Sequence, residues 1–294
     1  MKKVAIIGAK GFVGRHLAWY LTEKKGITPE LYDIVEGNGE PNYKRVNLLD
    51  DDELGGVNLN VDVIFMMAGL TGTSIGFEKS KDFVNINEIA LLNLLNAIKK
   101  SPYRPRIVFP SSRLVYKGTE SPLKETDEKD AKTIYAANKI ACEYFLKAYS
   151  ANFDIPYTVF RICVPYGNVL DNNYSFGTIG FFIRMAESGK DITLYGGGNI
   201  KRTFTHIEDV CSQMVEGAFN EATVNDIFNI DGETSSLYEV ASIIAKQYGV
   251  NVTSVPWPAA DERLESGSTY FDGSKIRKLL GDNVIKHHLA DIVI

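Results

Sequence analysis

Apolar residues recur along this chain in two patterns: short unbroken runs, and longer stripes at helical spacing. The run at 4–7 predicts a strand buried on both faces, and a helix over 11–24 follows it with Phe12, Leu17 and Leu21. Strands are predicted over 30–35 and 61–67. A helix over 87–99 carries Ile89, Leu92, Leu95 and Ile98 as its stripe. Next come a strand over 106–110, a loop, a helix over 134–152 and a strand over 157–163. A chain alternating in this way predicts an α/β fold with a doubly wound parallel sheet covered by helices on both faces. After Pro165 the rhythm breaks. Residues 165–180 and 256–273 read as loops of a smaller C-terminal lobe, and 204–220 and 237–249 as helices that return to the main sheet. The main domain is thus 1–164, rejoined by about 204–235, and the lobe is 165–203 with 236–294.

Composition narrows the function classes. Of 294 residues, 45% are apolar and 23% charged, so a core of ordinary size can form without disulfides or metal. The net charge of −5, with no Lys/Arg-rich block, argues against nucleic acid as a partner. Cys142, Cys163 and Cys211 form no CxxC pair or disulfide framework, which suits a reducing cytoplasm, and no Cys/His spacing resembles a metal site. The first apolar run stops at Gly8, too short for a signal peptide core, and nowhere do 18 apolar residues run together to span a membrane.

Chemistry first shows at the turn Gly8-Ala9-Lys10-Gly11-Phe12-Val13-Gly14, between the first strand and its helix. This GxxGxxG spacing lets backbone N–H groups approach a pyrophosphate at a helix N-terminus. Asp33 ends the second strand, placed to accept hydrogen bonds from both ribose hydroxyls and to repel a 2′-phosphate. With Ile34 after it rather than arginine, the expected cofactor is NAD, although Lys10 in the turn could reach a 2′-phosphate. Further on, Tyr135 and Lys139 share one helix face at i, i+4 spacing. A phenol with a pKa of about 10 becomes a general base near neutrality only if positive charge favours its anion. Ser111-Ser112 follows the strand over 106–110, and strand ends of such sheets face the ligand crevice.

In combination these motifs resemble the extended short-chain dehydrogenase/reductases, in particular the NAD-dependent epimerase/dehydratase branch. The likeness spans residues 3–281 and takes in Met67-Ala68-Gly69, Val115-Tyr116, the segment 161–167, Tyr195-Gly196-Gly197-Gly198 with Arg202, Phe204, His206 and Asp209, and Asp272-Gly273-Ser274-Lys275. The resemblance implies a Rossmann-type domain and a lobe that binds a nucleotide-diphosphate sugar. It implies Tyr135 as base, Lys139 on the nicotinamide ribose and Ser112 on the substrate hydroxyl. It also places Gly8, Gly11, Phe12, Val13, Gly14, Asp33, Asn47, Leu48, Ala68, Gly69 and Asn87 on the cofactor, and Arg202 and Arg263 on the substrate diphosphate. The stripes on the helices over 87–99 and 134–152 suit either an intersubunit four-helix bundle of a homodimer, as in relatives of this kind, or equally plain core. The sugar 4,6-dehydratases carry Asp-Glu after the site serine or threonine, and the uronate decarboxylases a glutamate at the second position; here Arg113-Leu114 stands, which disfavours both reactions. Val164 replaces the family asparagine before the "VYG" turn. The leading expectation is therefore a nucleotide-sugar epimerase, most simply at C4. The alternatives are a 4-keto-sugar reductase, favoured by Lys10 and the short length, and a non-catalytic NAD(H) sensor or scaffold.

Overall fold

Val4, Ala5, Ile6 and Ile7 are each at most 2% exposed, and their side chains enter two different apolar layers in turn. That two-residue alternation is how one strand serves the cores on both faces of a sheet. The computed structural model describes residues 2–170 and 177–292. Its strands in chain order are β1 (Val4–Ile7), β2 (Glu30–Asp33), β3 (Tyr43–Arg45), β4 (Val63–Met66), β5 (Arg106–Ser112), β6 (Tyr157–Ile162), β7 (Val164–Tyr166), β8 (Ile192–Tyr195), β9 (Lys201–His206), β10 (Asp226–Asn229), β11 (Glu233–Ser236) and β12 (Val252–Val255). Seven of them make one parallel sheet in the order β10-β6-β5-β4-β1-β2-β3. The chain winds outward from β1 in one direction and from β4 in the other. Such a reversal leaves a crevice at the strand ends, where ligands bind.

On one face of the sheet, Ala5, Ile7, Ile64 and Phe109 pack beneath Leu91, Leu94, Leu95 and Ile98 of the helix Ala90–Lys100 and beneath Cys142 and Leu146 of the helix Ile134–Phe153. On the other, Val4, Ile6, Phe65 and Phe160 pack against Leu17, Leu21, Val210 and Met214. The buried stripe of the 90–100 helix is thus Leu91-Leu94-Leu95-Ile98; Ile89, expected on it, is 37% exposed. Helical backbone also begins earlier than the pattern indicated, at residue 80, with Phe83 buried.

Beyond β6 several expectations change. Residues 204–206, read as helix, belong to β9, which pairs with β7 in parallel and β11 in antiparallel. The run Thr203-Phe204-Thr205 is β-branched and aromatic, which suits an extended backbone, and the helix starts only at Ile207. The region read as loop over 165–180 contains β7 and the start of the helix Gly177–Glu187; its residues 171–176 lie outside the described residues. The helix Leu237–Tyr248 does not return to the main sheet. Its Val240, Ala241 and Ile244 pack with Ile179, Phe182 and Ile183 to make the core of the lobe. Conversely, the helix Ser274–Leu280 inserts Ile276 into the main-sheet core, since Ile276, Leu279 and Leu280 give it an apolar face. In 256–273 the backbone forms one short helix, Ala259–Leu264, with no buried residue.

Candidate active site

The turn after β1 leaves no room for side chains. A Cβ on Gly8 would lie 2.4 Å from the Ala68 nitrogen, and one on Gly14 would lie 2.0 Å from the Gly8 oxygen. The turn therefore sits directly against the end of β4, with the N-terminus of the helix Phe12–Trp19 opening beside it. Around it lies a groove of about 430 Å³ whose walls include Gly8, Gly11, Asp33, Asn47, Leu48, Ala68 and Gly69, together with Ile34, Val35 and Leu49. The Asp33 carboxylate is held by the backbone: one oxygen accepts from the Lys10 N–H at 2.8 Å, the other from those of Ile34 at 2.8 Å and Val35 at 3.3 Å. The Lys10 ammonium pairs with Glu40 and lies 4.7 Å from the centre of the Tyr43 ring, so it is engaged away from the Asp33 carboxylate. Asn47 Oδ1 already accepts the Leu49 N–H at 3.0 Å. Asn87 stands behind the groove, 3% exposed, where it accepts the Leu70 N–H at 2.7 Å and donates to the Leu70 oxygen at 3.1 Å. Its observed contacts fix the Gly69–Leu70 wall.

A second hollow, of about 360 Å³, continues the groove toward the lobe and is walled by Gly11, Phe12, Val13, Gly14, Ser112, Tyr135 and Lys139. The Thr133 side chain caps the helix Ile134–Phe153, accepting the Ala136 N–H at 3.1 Å, and so sets where its first turn presents Tyr135. Lys139 lies one turn on, its ammonium 4.4 Å from the Phe109 ring centre and 5.6 Å from that of Tyr135. Burial pushes Lys139 down to about 8, leaving it mostly charged at pH 7. Burial also pushes the Tyr135 phenol up to about 12, against the opposing pull of a hydrogen bond with Ser112 and the charge of Arg113. In the ligand-free chain Tyr135 is a neutral phenol at pH 7.

The two strand-end serines both border the hollow but have different partners. Ser111 donates its hydroxyl to Glu143 at 2.6 Å, deep in the protein, whereas Ser112 stands in the hollow beside Tyr135, accepting the Leu114 N–H at 3.2 Å. Glu143, one turn beyond Lys139, also takes two hydrogen bonds from Arg161, at 2.9 Å and 2.6 Å. Arg161 is 1% exposed and donates onward to the Tyr116 hydroxyl at 2.7 Å. This buried set joins β5, β6 and the Tyr135 helix just beneath the site. The sequence reading did not assign it, although i+4 spacing from Lys139 put Glu143 on the same helix face.

Arg202 is 2% exposed and behind the wall of the hollow; its guanidinium donates to Glu265 at 2.7 Å and to the carbonyls of Gly267 at 2.6 Å and Lys201 at 2.9 Å. Arg263 is exposed on the short helix Ala259–Leu264. Neither borders the groove or the hollow. Arg113 does, and it was read from the sequence only as the absence of an acid. Among the described residues no Asp or Glu lines the hollow, no cluster of His, Cys, Asp and Glu could hold a metal, and no helix is long and apolar enough to cross a membrane.

Known proteins resemble this chain in sequence and in fold. A UDP-N-acetyl-α-D-glucosaminuronate decarboxylase of Bacillus cytotoxicus is 27% identical, over 83% of this chain and 79% of its own. A dTDP-L-rhamnose 4-epimerase of Burkholderia thailandensis is 25% identical, over 84% of this chain and 82% of its own. Among solved structures, a UDP-glucuronic acid 4-epimerase of Bacillus cereus in complex with UDP-glucuronic acid and NAD matches with a TM-score of 0.85 at 22% identity, over 98% of this chain and 96% of that one, a likeness of fold. The model of the NAD dependent epimerase/dehydratase family matches residues 4–231, from β1 through the glycine turn and the Tyr135 helix to the residues just past β10. The chain therefore belongs to the NAD-dependent epimerase/dehydratase family of nucleotide-sugar enzymes, and NAD is its cofactor.

Proposed function

We propose that this protein is a nucleotide-sugar epimerase acting most simply at C4. One observation carries the reading: Tyr135, Ser112 and Lys139 share a hollow in which no described carboxylate stands ready to protonate a leaving hydroxyl or to take a carbon-bound proton.

The groove fits the cofactor, because Gly8 and Gly14 let the turn pack closely on β4 and on its own helix, so that the helix N-terminus opens at the groove beside Gly11, and the Asp33 carboxylate is fixed at the end of β2. We assign the turn at Gly8, Gly11, Phe12, Val13 and Gly14 to the pyrophosphate and Asp33 to the adenosine ribose. Asn47 and Leu48 border the adenine, Ala68 and Gly69 form the floor, and Lys139 meets the nicotinamide ribose. Bound there, NAD supplies reversible acceptance of a hydride. The protein's own task is proton handling: Tyr135 takes the proton from the sugar hydroxyl, Ser112 holds that hydroxyl toward the phenol, and Lys139 keeps positive charge beneath the phenolate. For epimerisation the keto-sugar must turn over in the hollow and regain its proton from Tyr135. Incubating the NAD-loaded protein with a panel of nucleotide-sugars and reading the products by NMR is expected to give an equilibrium pair of epimers; net reduction or elimination would refute the C4 assignment.

Asp33 sets cofactor choice in this reading. The unmodified protein is expected to bind NADH more tightly than NADPH, and Asp33→Ala to narrow that gap by roughly tenfold, as lost charge-assisted hydrogen bonds and lost repulsion imply. Titration of both cofactors by fluorescence tests this, and tighter NADPH binding by the unmodified chain would overturn it.

We assign Arg202 to the substrate diphosphate, which it would meet with donors beyond those already bonded to Glu265, Gly267 and Lys201, and Arg263 as an outer cation. Arg202→Ala is then expected to raise KM for a nucleotide-sugar while leaving NAD affinity nearly unchanged. An unchanged KM would limit Arg202 to holding the loop around Gly267. The assembly we infer is a homodimer, supported by the exposed apolar surface of Val84, Ile89 and Tyr144 on and before the paired helices.

A further inference from the structure

We propose that Arg113 builds a subsite for a carboxylate on the reacting sugar, so that the substrate is a nucleotide-linked uronic acid rather than a neutral hexose. The proposal rests on the nucleotide-sugar reading above and sharpens its substrate class.

Arg113 follows Ser112 directly, in the short helical turn Arg113–Val115, and borders the same hollow as Tyr135 and Lys139. In the reading above Ser112 and Tyr135 hold the reacting hydroxyl, and Arg113, next in the chain to Ser112 and at the wall of the same hollow, is placed beside the neighbouring ring carbon that would carry the carboxylate. Of the five N–H donors of its guanidinium, Nη1 donates to Thr269 Oγ1 at 2.9 Å, and among the described residues no carboxylate forms an ion pair with it. The acid whose charge it feels, Glu265, is bonded to Arg202 at 2.7 Å. Arg113 is thus a cation confined in a pocket beside a second cation, an arrangement that costs stability unless an anion completes it. Burial, followed by the charge of Arg202, pushes Arg113 down to about 10, so the group is still cationic at neutral pH.

The shape of the missing anion follows from the donor. A guanidinium presents a planar fork that matches a carboxylate through two parallel hydrogen bonds, and a lysine could not replace it in that geometry. A neutral hydroxymethyl group at the same place would leave the charge unanswered. Recognition would then show as discrimination between sugars, because a site built for a charged partner rejects an analogue that leaves it unpaired.

The test uses the NAD-loaded full-length protein with UDP- and dTDP-linked glucuronic acid and glucose, comparing kcat/KM for acid over neutral sugar. The expected ratio is roughly tenfold to hundredfold in the unmodified protein, the span of a charge-assisted hydrogen bond or two. Arg113→Gln is expected to lower the ratio by a similar factor without moving the affinity for UDP or NAD, and Arg113→Lys to restore part of it. Thermal melts and NAD binding verify that each variant folds, and the unmodified protein's own ratio stands whatever the variants do. A ratio at or below one in that protein, or an equal loss for both sugars in Arg113→Gln, overturns the proposal and moves Arg113 to the diphosphate or to loop support. Turnover of neutral sugars with no discrimination sinks this proposal and leaves the epimerase reading standing. Turnover of neither class removes both.

Discussion

Tyr135→Phe is expected to keep NAD binding intact and to lower kcat by roughly 10²–10⁴-fold, the range spanned by loss of a positioned general acid–base. The substitution removes one oxygen and keeps the ring, so the buried packing at the start of the helix is disturbed little. The pH dependence offers a second readout. In the ligand-free chain burial pushes the phenol up to about 12, and Lys139 is not among the groups that pull it down. A working base at neutral pH requires that the anion be favoured by several kcal/mol once the site is filled, at about 1.4 kcal/mol per unit. Because the base must be deprotonated, kcat rises with pH through its pKa, and in the NAD-loaded enzyme that limb is expected well below 12 and to vanish in Tyr135→Phe. Lys139→Met is expected to weaken both turnover and NAD binding, whereas Ser112→Ala costs less because the base remains. Near-normal turnover by Tyr135→Phe on the true substrate would remove Tyr135 from its role.

The parts of this molecule that were legible in the sequence are those where local pattern and tertiary demand coincide. β1 reads as a doubly buried strand because four apolar residues in succession have no other use, and the GxxGxxG turn is legible because the space available to Gly8 and Gly14 excludes any side chain. The Tyr135–Lys139 pair follows from helical spacing alone. What escaped are features set by distant partners. Phe204 was read as helix because its neighbours pairing in β7 and β11 lie some 30–40 residues away in either direction, beyond any local window. The helix Leu237–Tyr248 has an apolar stripe that suits either core, and the lobe claims it. The division of labour between Ser111 and Ser112 was not visible either: adjacent strand residues point to opposite faces, and which face holds Glu143 and which holds Tyr135 is decided by register. Arg202 and Arg263 could be placed by resemblance but not oriented. The partner that occupies Arg202, Glu265, comes from a loop with no periodic signal.

Breaking the buried pair of Arg161 and Glu143 is expected to be the most destabilising single change near the site. Both side chains lie within the protein, at 1% and 8% exposure, and their polar groups are held by hydrogen bonds: two to each other, one from Ser111, and others to the Tyr116 hydroxyl and the Glu125 carbonyl. Burial works against the charge on Arg161, yet the bonds to Glu143 and the neighbouring Tyr116 hold its pKa above the usual guanidinium value. Arg161→Met removes that compensation and leaves a carboxylate buried with only a serine hydroxyl. The expected loss is about 3–5 kcal/mol, seen as a fall in melting temperature of roughly 6–20 °C. Arg161→Met combined with Glu143→Leu is expected to recover much of it, since an apolar pair of similar volume leaves no buried charge unpaired. That recovery separates stability from function. Glu143 ties the Tyr135 helix to the end of β5 through Ser111, next to Ser112, so the double variant is expected to regain its melting temperature while kcat stays low. If kcat returned together with stability, the network would be a core fastening only, and the alignment of Tyr135 with Ser112 would have to come from the Thr133 cap and the surrounding packing.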